Sequence, residues 1–383
     1  MTPFGRKSDF STPRDWVGPV VTQALHEAGM GLPDIDAVVV ASESDFLSLQ
    51  VSPAALLLDD MGLVPAPVVR VEAGGASGAM AIRTAAQQLL SGLANTVLVL
   101  GVEHAASHLS AEAVRRVYGL SFDADLEGMP GITATALYAL SIQDHMARYA
   151  TTSRQLAAVS VKNHGNAMHN PDAHKPMKLT LDEVLASPIV STPYRRLDCS
   201  PISDGAAAVI LTTRAPHAHG QFAPVRLVGS GCASDAVRLG ERARMGDFAA
   251  KTLAAQQAYA QAGVSDPVAQ LGFAEVYDAY SGAEIQAIEA LGLCPQGQGG
   301  AAVAAGQFDR GQPLCVNLSG GLLGQGGPPG ATGVAQIYTL LRLLQGRYHT
   351  ALQTSEPRRM AVADAHGGVG TVCVVHILER CDG

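Results

Sequence analysis

The sequence predicts an α/β protein: a five-layered α-β-α-β-α sandwich made of two halves related by pseudo-twofold symmetry. An internal repeat is the first sign. Ala76-Ser77-Gly78 is followed by Ile82, Thr84, Leu89, Leu90 and Gly92, and Ala331-Thr332-Gly333 by Ile337, Thr339, Leu344 and Gly346. The two copies lie 255 positions apart (331 − 76), and the pairs 82/337 and 84/339 keep that spacing. Second, each copy runs from a small-residue turn into a helix with apolar residues at helical spacing, then into a β-branched run. The strands expected after the helices are Thr96 to Leu100 and Thr371 to Ile377. Continuous apolar strands that alternate with helices imply parallel sheets covered on both faces. Third, 383 residues are too many for one small core and suit two fused α/β units.

Composition narrows the function. Hydrophobic residues make up 47%, charged residues 16%, and glycine is abundant at 41, as in a compact enzyme rather than a disordered chain. A net charge of −8 argues against a general nucleic-acid binder, which needs clustered Lys and Arg. The six cysteines are scattered without a CxxC pair, so neither a zinc site nor a disulfide framework is expected. No signal peptide opens the sequence and no apolar stretch is long enough to span a membrane, so the expected compartment is the cytoplasm.

Along the chain, residues 1–215 form the expected N-terminal half and 222–383 the C-terminal half. Within the first, about 110–200 breaks the strand–helix alternation. It carries Gly128-Met129-Pro130-Gly131-Ile132, a helix through Leu137 to Tyr149, and the stretch His164 to His174. The strand Ala207 to Leu211 precedes the half-boundary, expected near Arg214 to Pro224.

The candidate site rests on two glycine-rich turns. Val71-Glu72-Ala73-Gly74-Gly75-Ala76-Ser77-Gly78-Ala79 is a strand end that runs through small residues into a helix. Gly324-Gln325-Gly326-Gly327-Pro328-Pro329-Gly330-Ala331-Thr332-Gly333 opens the second helix. Both stretches resemble thiolases, above all the sterol-carrier-protein-x type. Further blocks carry the resemblance in the family's order: Lys162-Asn163-His164, Asn170-Pro171-Asp172-Ala173-His174, Pro201 to Ala207, and Asn317-Leu318-Ser319-Gly320-Gly321. The resemblance implies the nucleophilic cysteine at Gly75 and a catalytic histidine at Gly327. A glycine can be neither nucleophile nor base. It also implies that the 110–200 region covers the site and helps hold coenzyme A, and that an apolar first strand should precede Thr2-Pro3-Phe4-Gly5. That strand is not evident in the sequence.

Two residues are the expected acid–base groups. Tyr277, in Glu275-Val276-Tyr277-Asp278-Ala279-Tyr280, stands where the resemblance implies a residue that binds the thioester oxygen, and its hydroxyl can donate or accept. His366, in Asp364-Ala365-His366-Gly367-Gly368, falls in the last catalytic block and could shuttle a proton near neutral pH. The backbone at Gly75, Gly327 and Gly368 is the expected oxyanion environment. The missing side chains at Gly75 and Gly327 leave expected room for a bulky acyl group. Asp278, Tyr280 and Met129 are candidate pocket residues, Tyr280 with core packing as its stronger reading. His104, His145 and His164 read as structural, and Cys315 and Cys373 as small buried hydrophobes. No metal ligand set is expected.

An oxyanion hole and acid–base groups without a nucleophile suit retro-aldol cleavage of a β-hydroxyacyl-CoA. The sequence resembles the cysteine-less thiolase-like aldolases that shorten steroid side chains. That resemblance implies coenzyme A as part of the substrate and no tightly bound cofactor. It further implies a homodimer assembled with a separate small OB-fold subunit carrying a zinc ribbon. Two other readings stand beside it: a noncanonical thiolase or acyltransferase, and an inactive thiolase-like scaffold subunit of a heteromeric complex.

Overall fold

The computed structural model describes residues 1–7, 11–214, 222–353 and 358–381. The middle of the expected half-boundary, residues 215–221, lies outside them. The first half contains α1 (Pro13–Ala28), β1 (Ala37–Ala41), α2 (Asp45–Ser48), α3 (Pro53–Asp60), β2 (Val68–Val71), α4 (Ser77–Leu90) and β3 (Thr96–Glu103). An excursion follows, with α5 (Ala111–Gly119), a π-type turn at Ala124–Gly128, α6 (Ala134–Tyr149), α7 (Ser153–Ala167), α8 (Leu181–Ala186) and a small hairpin of β4 (Ile189–Ser191) and β5 (Tyr194–Arg195). The chain returns through β6 (Gly205–Thr212). The second half contains β7 (Val225–Ser234), α9 (Ala249–Ala262), α10 (Pro267–Gln270), β8 (Leu271–Glu275), α11 (Ser281–Ala290) and α12 (Gly299–Ala304). It ends with β9 (Cys315–Val316), α13 (Gly321–Gly324), α14 (Pro329–Leu344), β10 (Met360–Gly367) and β11 (Val372–Arg380).

Two sheets carry the five layers. The first has the order β2-β1-β3-β6 and the second β9-β8-β10-β11-β7. Matched from one end, the sheets pair in the same senses: the first three strands run parallel, and β6 and β11 join antiparallel to β3 and β10. The sheets are therefore mixed, not parallel as expected, because β3–β6, β10–β11 and β11–β7 are antiparallel. Val38, Val39 and Val40 of β1 are completely buried, as a strand covered on both faces requires. One core lies between the sheets and joins Val39 and Val97 of the first, Phe273 and Ala361 of the second, and Ile82 and Val334 of α4 and α14. A second core packs α1 and α3 on the outside of the first sheet. A third packs α9, α11, α6 and α7 on the outside of the second.

The repeat places the central helices. Gly78 and Gly333, equivalent positions of the two copies, touch backbone to backbone, so that a Cβ on Gly78 would come within 2.8 Å of the Gly333 amide nitrogen. The strand after the second helix departs from expectation. It is β10, while Thr371 to Ile377 falls at the start of β11, the counterpart of β6. The open edge of β6 has no counterpart of β7 among the described residues. The Thr2 amide donates to the Ala206 carbonyl at 2.9 Å and Gly5 bridges Asp204, so residues 2–5 meet only the start of that strand. A mostly apolar cavity of about 630 Å³ runs along the rest of the edge, and none of the expected site residues lines it. Among the described residues, no helix is long and apolar enough to cross a membrane.

Candidate active site

The glycine turns, the end of β10 and the segment after β8 converge on a cavity of about 100 Å³. Gly75, Gly327, Tyr277, Tyr280, His366 and Gly368 all border it. So do Glu43, which follows β1, and Tyr118, Ser121, Phe122 and Tyr138 from the 110–200 excursion. Ligand sites in open α/β sheets sit beyond the carboxyl ends of parallel strands, where residue 43 and residues 277–280 are.

Tyr277 fills the space a cysteine would need. A Cβ on Gly75 would overlap the Tyr277 hydroxyl, 2.7 Å from its ring carbon Cζ and 2.6 Å from the His366 carbonyl oxygen. The expected room at Gly75 is thus taken. The same holds at Gly327, where a Cβ would meet Leu322 at 3.0 Å. The Gly327 amide is also engaged, donating to Ser203 Oγ at 3.3 Å. The Tyr277 hydroxyl makes no hydrogen bond to any described residue and faces the cavity. Burial, reinforced by the nearby Glu43 carboxylate, holds its pKa well above the ordinary tyrosine value. It stays protonated, so it can donate a hydrogen bond into the cavity but is not a tyrosinate base.

His366 is fully buried and both ring nitrogens are occupied. Lys251 Nζ lies 3.0 Å from Nδ1 and 2.6 Å from Asp364 Oδ2. Nε2 lies 2.8 Å from the Tyr138 hydroxyl, which itself donates to the Gly368 carbonyl at 2.6 Å. A lysine can only donate, so Nδ1 accepts and the ring proton sits on Nε2, pointing at Tyr138. Burial first, then the charges of Lys251 and Arg242, hold the His366 pKa well below its ordinary value. The imidazole is neutral and locked, which places Tyr138 and removes the free shuttle nitrogen that the sequence suggested. Gly368 takes part through its carbonyl.

The pocket candidates separate. Tyr280 borders the cavity, bonds Thr135 Oγ1 at 2.8 Å and stacks on Tyr194 at 5.0 Å, joining a pocket role to a packing role. Asp278 is completely buried and does not border the cavity. Its carboxylate accepts from Asn163 Nδ2 at 2.7 Å and from the Leu322 amide at 2.6 Å, and so holds the 320–324 turn. Met129 is exposed at 65% and lies away from the cavity, because its π-type turn directs it to the surface. The block residues brace loops: Asn317 Nδ2 and Asn163 Nδ2 donate to Glu284, Asn170 Nδ2 to the Ser319 carbonyl at 2.8 Å, and His174 Nδ1 pairs with Ser203 Oγ at 2.9 Å. His145 pairs with Glu289 at 2.8 Å and His164 with the Lys175 carbonyl at 2.8 Å, both structural arrangements.

Sequence reasoning missed Glu43, Tyr138 and Lys251. Glu43 had a signal: it is the first carboxylate after Ala37 to Ala41, an apolar run ending at a strand's carboxyl end. Burial raises its pKa from 4.5 to about 7, the Ser121 hydroxyl opposes the rise, and Glu72 adds to it. Behind it Glu103 is raised to about 8, by burial and then by the charge of Glu43. Tyr138 and Lys251 sit in α6 and α9, both packed into the core outside the second sheet, and only the fold brings them to His366. Cys199 and Cys373 are pushed up to about 12 by burial, and none of the six cysteines borders the cavity.

Comparison with known proteins agrees with this architecture. Residues 1–215 match the family model described as "Thiolase, N-terminal domain", and residues 231–380 match "Thiolase C-terminal domain-like". The chain is 36% identical over 381 residues to an acetyl-CoA acetyltransferase of Methanothermobacter thermautotrophicus, spanning 99% of this chain and 97% of that one. It is 30% identical over 338 residues to sterol carrier protein 2 of Bos taurus, spanning 83% of this chain and 60% of that one. Among solved structures it shares the fold of the Ltp2-ChsH2(DUF35) aldolase, with a TM-score of 0.80, 22% identity, and coverage of 99% of this chain and 95% of the other. With both halves matched and the site on its two glycine turns, this chain belongs to the thiolase family.

Proposed function

We propose that the chain is a carbon–carbon lyase that cleaves a β-hydroxyacyl-CoA by retro-aldol chemistry, without an acyl-enzyme. One observation carries this reading. The position of the nucleophile is a glycine, and the Tyr277 hydroxyl, unbonded to protein, occupies the vacated space. In the proposed step the β-hydroxyl loses its proton, the bond between the α- and β-carbons breaks, and the electron pair moves onto the thioester as an enolate. Tyr277 donates to the thioester oxygen, where negative charge develops. Protonation of the α-carbon gives a shorter acyl-CoA, and the other fragment leaves as a ketone or aldehyde. Coenzyme A enters as part of the substrate. Neutral His366 acts by orienting Tyr138 on the cavity wall.

The relatives named as acetyltransferase leave acyl transfer as the second reading. Against it, no cysteine reaches the cavity, and the thiols of Cys199 and Cys373 are too basic to serve as nucleophiles near neutrality. A cavity of about 100 Å³ holds only the reacting end of a substrate, so a steroid-sized remainder would extend beyond it. We further propose a homodimer with a separate small OB-fold subunit. The name of the solved Ltp2-ChsH2(DUF35) aldolase, which shares the fold, supports a second component; the homodimer and the OB fold of that component rest on the family resemblance.

The test is a panel of β-hydroxyacyl-CoA thioesters, given to the protein alone and with a co-expressed partner, with products read by mass spectrometry. Tyr277→Phe is expected to slow cleavage about 100- to 1,000-fold, the usual cost of one oxyanion donor. Equal cleavage by the variant would remove Tyr277 from the mechanism. Inactivity with every substrate and partner would favour a scaffold subunit.

A further inference from the structure

We propose that Glu43 is the proton-transfer group of this site: its carboxylate takes the β-hydroxyl proton and, as the acid, returns it to the α-carbon. The proposal rests on the lyase reading and completes it, because Tyr277 stabilises charge but stays protonated, and His366 has no free nitrogen.

Geometry singles out Glu43. It is the one carboxylate among the described residues that border the cavity. Its backbone is anchored, since the Glu43 amide donates to Glu103 Oε2 at 2.8 Å, and Glu103 Oε2 also accepts from the Gly330 amide at 3.1 Å. Residue 43 is thereby tied to the start of α14. One side-chain oxygen, Oε1, accepts from Ser121 Oγ at 3.3 Å. The other, Oε2, is buried and makes no hydrogen bond to any described residue. An ionisable side chain 9% exposed with an orphaned oxygen beside a cavity is costly unless a ligand meets it. Oε1 also lies 3.9 Å from where a Cβ of Gly74 would be, beside the turn that carries Gly75, and the Glu43 charge is felt at the Tyr277 hydroxyl.

The step balances within this one group. The Glu43 carboxylate accepts the hydroxyl proton as the β-carbon becomes a carbonyl. The α–β bond breaks and its electron pair passes to the enolate held by the Tyr277 hydroxyl. The Glu43 acid then protonates the α-carbon, which restores the carboxylate, with no net proton gained or lost. A base with a pKa near the working pH is the efficient choice for such a shuttle. The groups that face Glu43 are Glu72 from the glycine turn, Glu103 from β3, Tyr118 and Ser121 from the excursion, and Tyr277 from the segment after β8. Arg70 on β2 is turned to Ser42 and Asp45.

Two readouts test the proposal. Cleavage is one. The other is exchange of the α-hydrogens of a short acyl-CoA, acetyl-CoA or propionyl-CoA, in D₂O. Glu43→Gln keeps the acceptor for Ser121 and removes the proton-transfer function, and both rates are expected to fall at least about 100-fold. In the wild-type protein cleavage should rise with pH through about 7 and level off above it, as the carboxylate form accumulates. Ser121→Ala removes a hydrogen bond that favours the carboxylate, so it should move that rise to higher pH; an unmoved rise would mean that Glu43 is not the group titrating. Wild-type cleavage retained in a folded Glu43→Gln protein overturns the Glu43 proposal and leaves the lyase standing. Glu43-dependent α-hydrogen exchange without cleavage of any substrate does the reverse. Neither cleavage nor exchange by the wild type overturns both.

Discussion

A cysteine at position 75 and the Tyr277 hydroxyl cannot share one space. Gly75→Cys should therefore not restore a thiolase; it should displace Tyr277, strain the backbone at the His366 carbonyl, and abolish cleavage with a loss of stability. Cleavage assays beside intact-mass scans for an acylated thiol check both halves of that statement. The loss of chemistry at 75 and 327 was legible in the two turns. The occupation of the vacated space was not, because positions 75 and 277 meet only in the folded chain. Position 366 gave a histidine but not its two partners, and the partners decide its state. Lys251 and Asp364 are both completely buried, and the lysine also holds His366. Lys251→Met would leave Asp364 without its counter-ion, a change that costs about 3–5 kcal/mol for buried pairs. Urea denaturation measures it, and a loss under 1 kcal/mol would mean that the pair is not closed to water.

At the scale of elements, α4 and α14 are set by small residues. Gly78→Ala in an ordinary helix gains roughly 1 kcal/mol in helix propensity. Here the new Cβ would come within 2.9 Å of the Gly333 Cα and Val334 amide, which are backbone atoms and cannot rotate away. Overpacking of this kind costs about 1–3 kcal/mol, so the net effect should be destabilising. A higher urea midpoint for Gly78→Ala would contradict the close approach. The repeat made these two helices readable, since apolar residues at helical spacing face both sheets. β10 was unreadable as a strand because Asp364 and His366 interrupt its apolar run and drew it into a catalytic block. Met129 is a different case: the glycine- and proline-rich stretch around it resembles a pocket loop, and the turn exposes it away from the cavity.

For the whole molecule, buried carboxylates set the response to pH. Glu103 and Glu275 are raised by burial to about 8 and about 7, above their ordinary 4.5. The folded protein holds these protons more tightly than the unfolded chain does. The stability they contribute is complete below about 4.5 and is lost as pH rises through their folded values. His174 and His376 act oppositely: burial lowers each to about 4, and their contribution is lost as pH falls from 6.5 towards that value. Between 6.5 and 8 Glu103, Glu275 and Glu43 lose stabilising protons as pH rises, against the Met1 amine, which burial lowers from 8.0 to about 6; three groups against one make the melting temperature fall with rising pH in that window. Glu103→Gln keeps an acceptor for the Glu43 and Gly330 amides and should flatten the fall; an unchanged slope would place the cause elsewhere. Carbon–carbon cleavage without a covalent intermediate is checked by intact-mass analysis of the protein during turnover of a β-hydroxyacyl-CoA, with and without added free coenzyme A. A non-covalent lyase gives a shorter acyl-CoA plus a ketone or aldehyde, no mass adduct on the protein, and no need for free coenzyme A. Acyl transfer that requires free coenzyme A, with an acyl adduct on a cysteine, would contradict it.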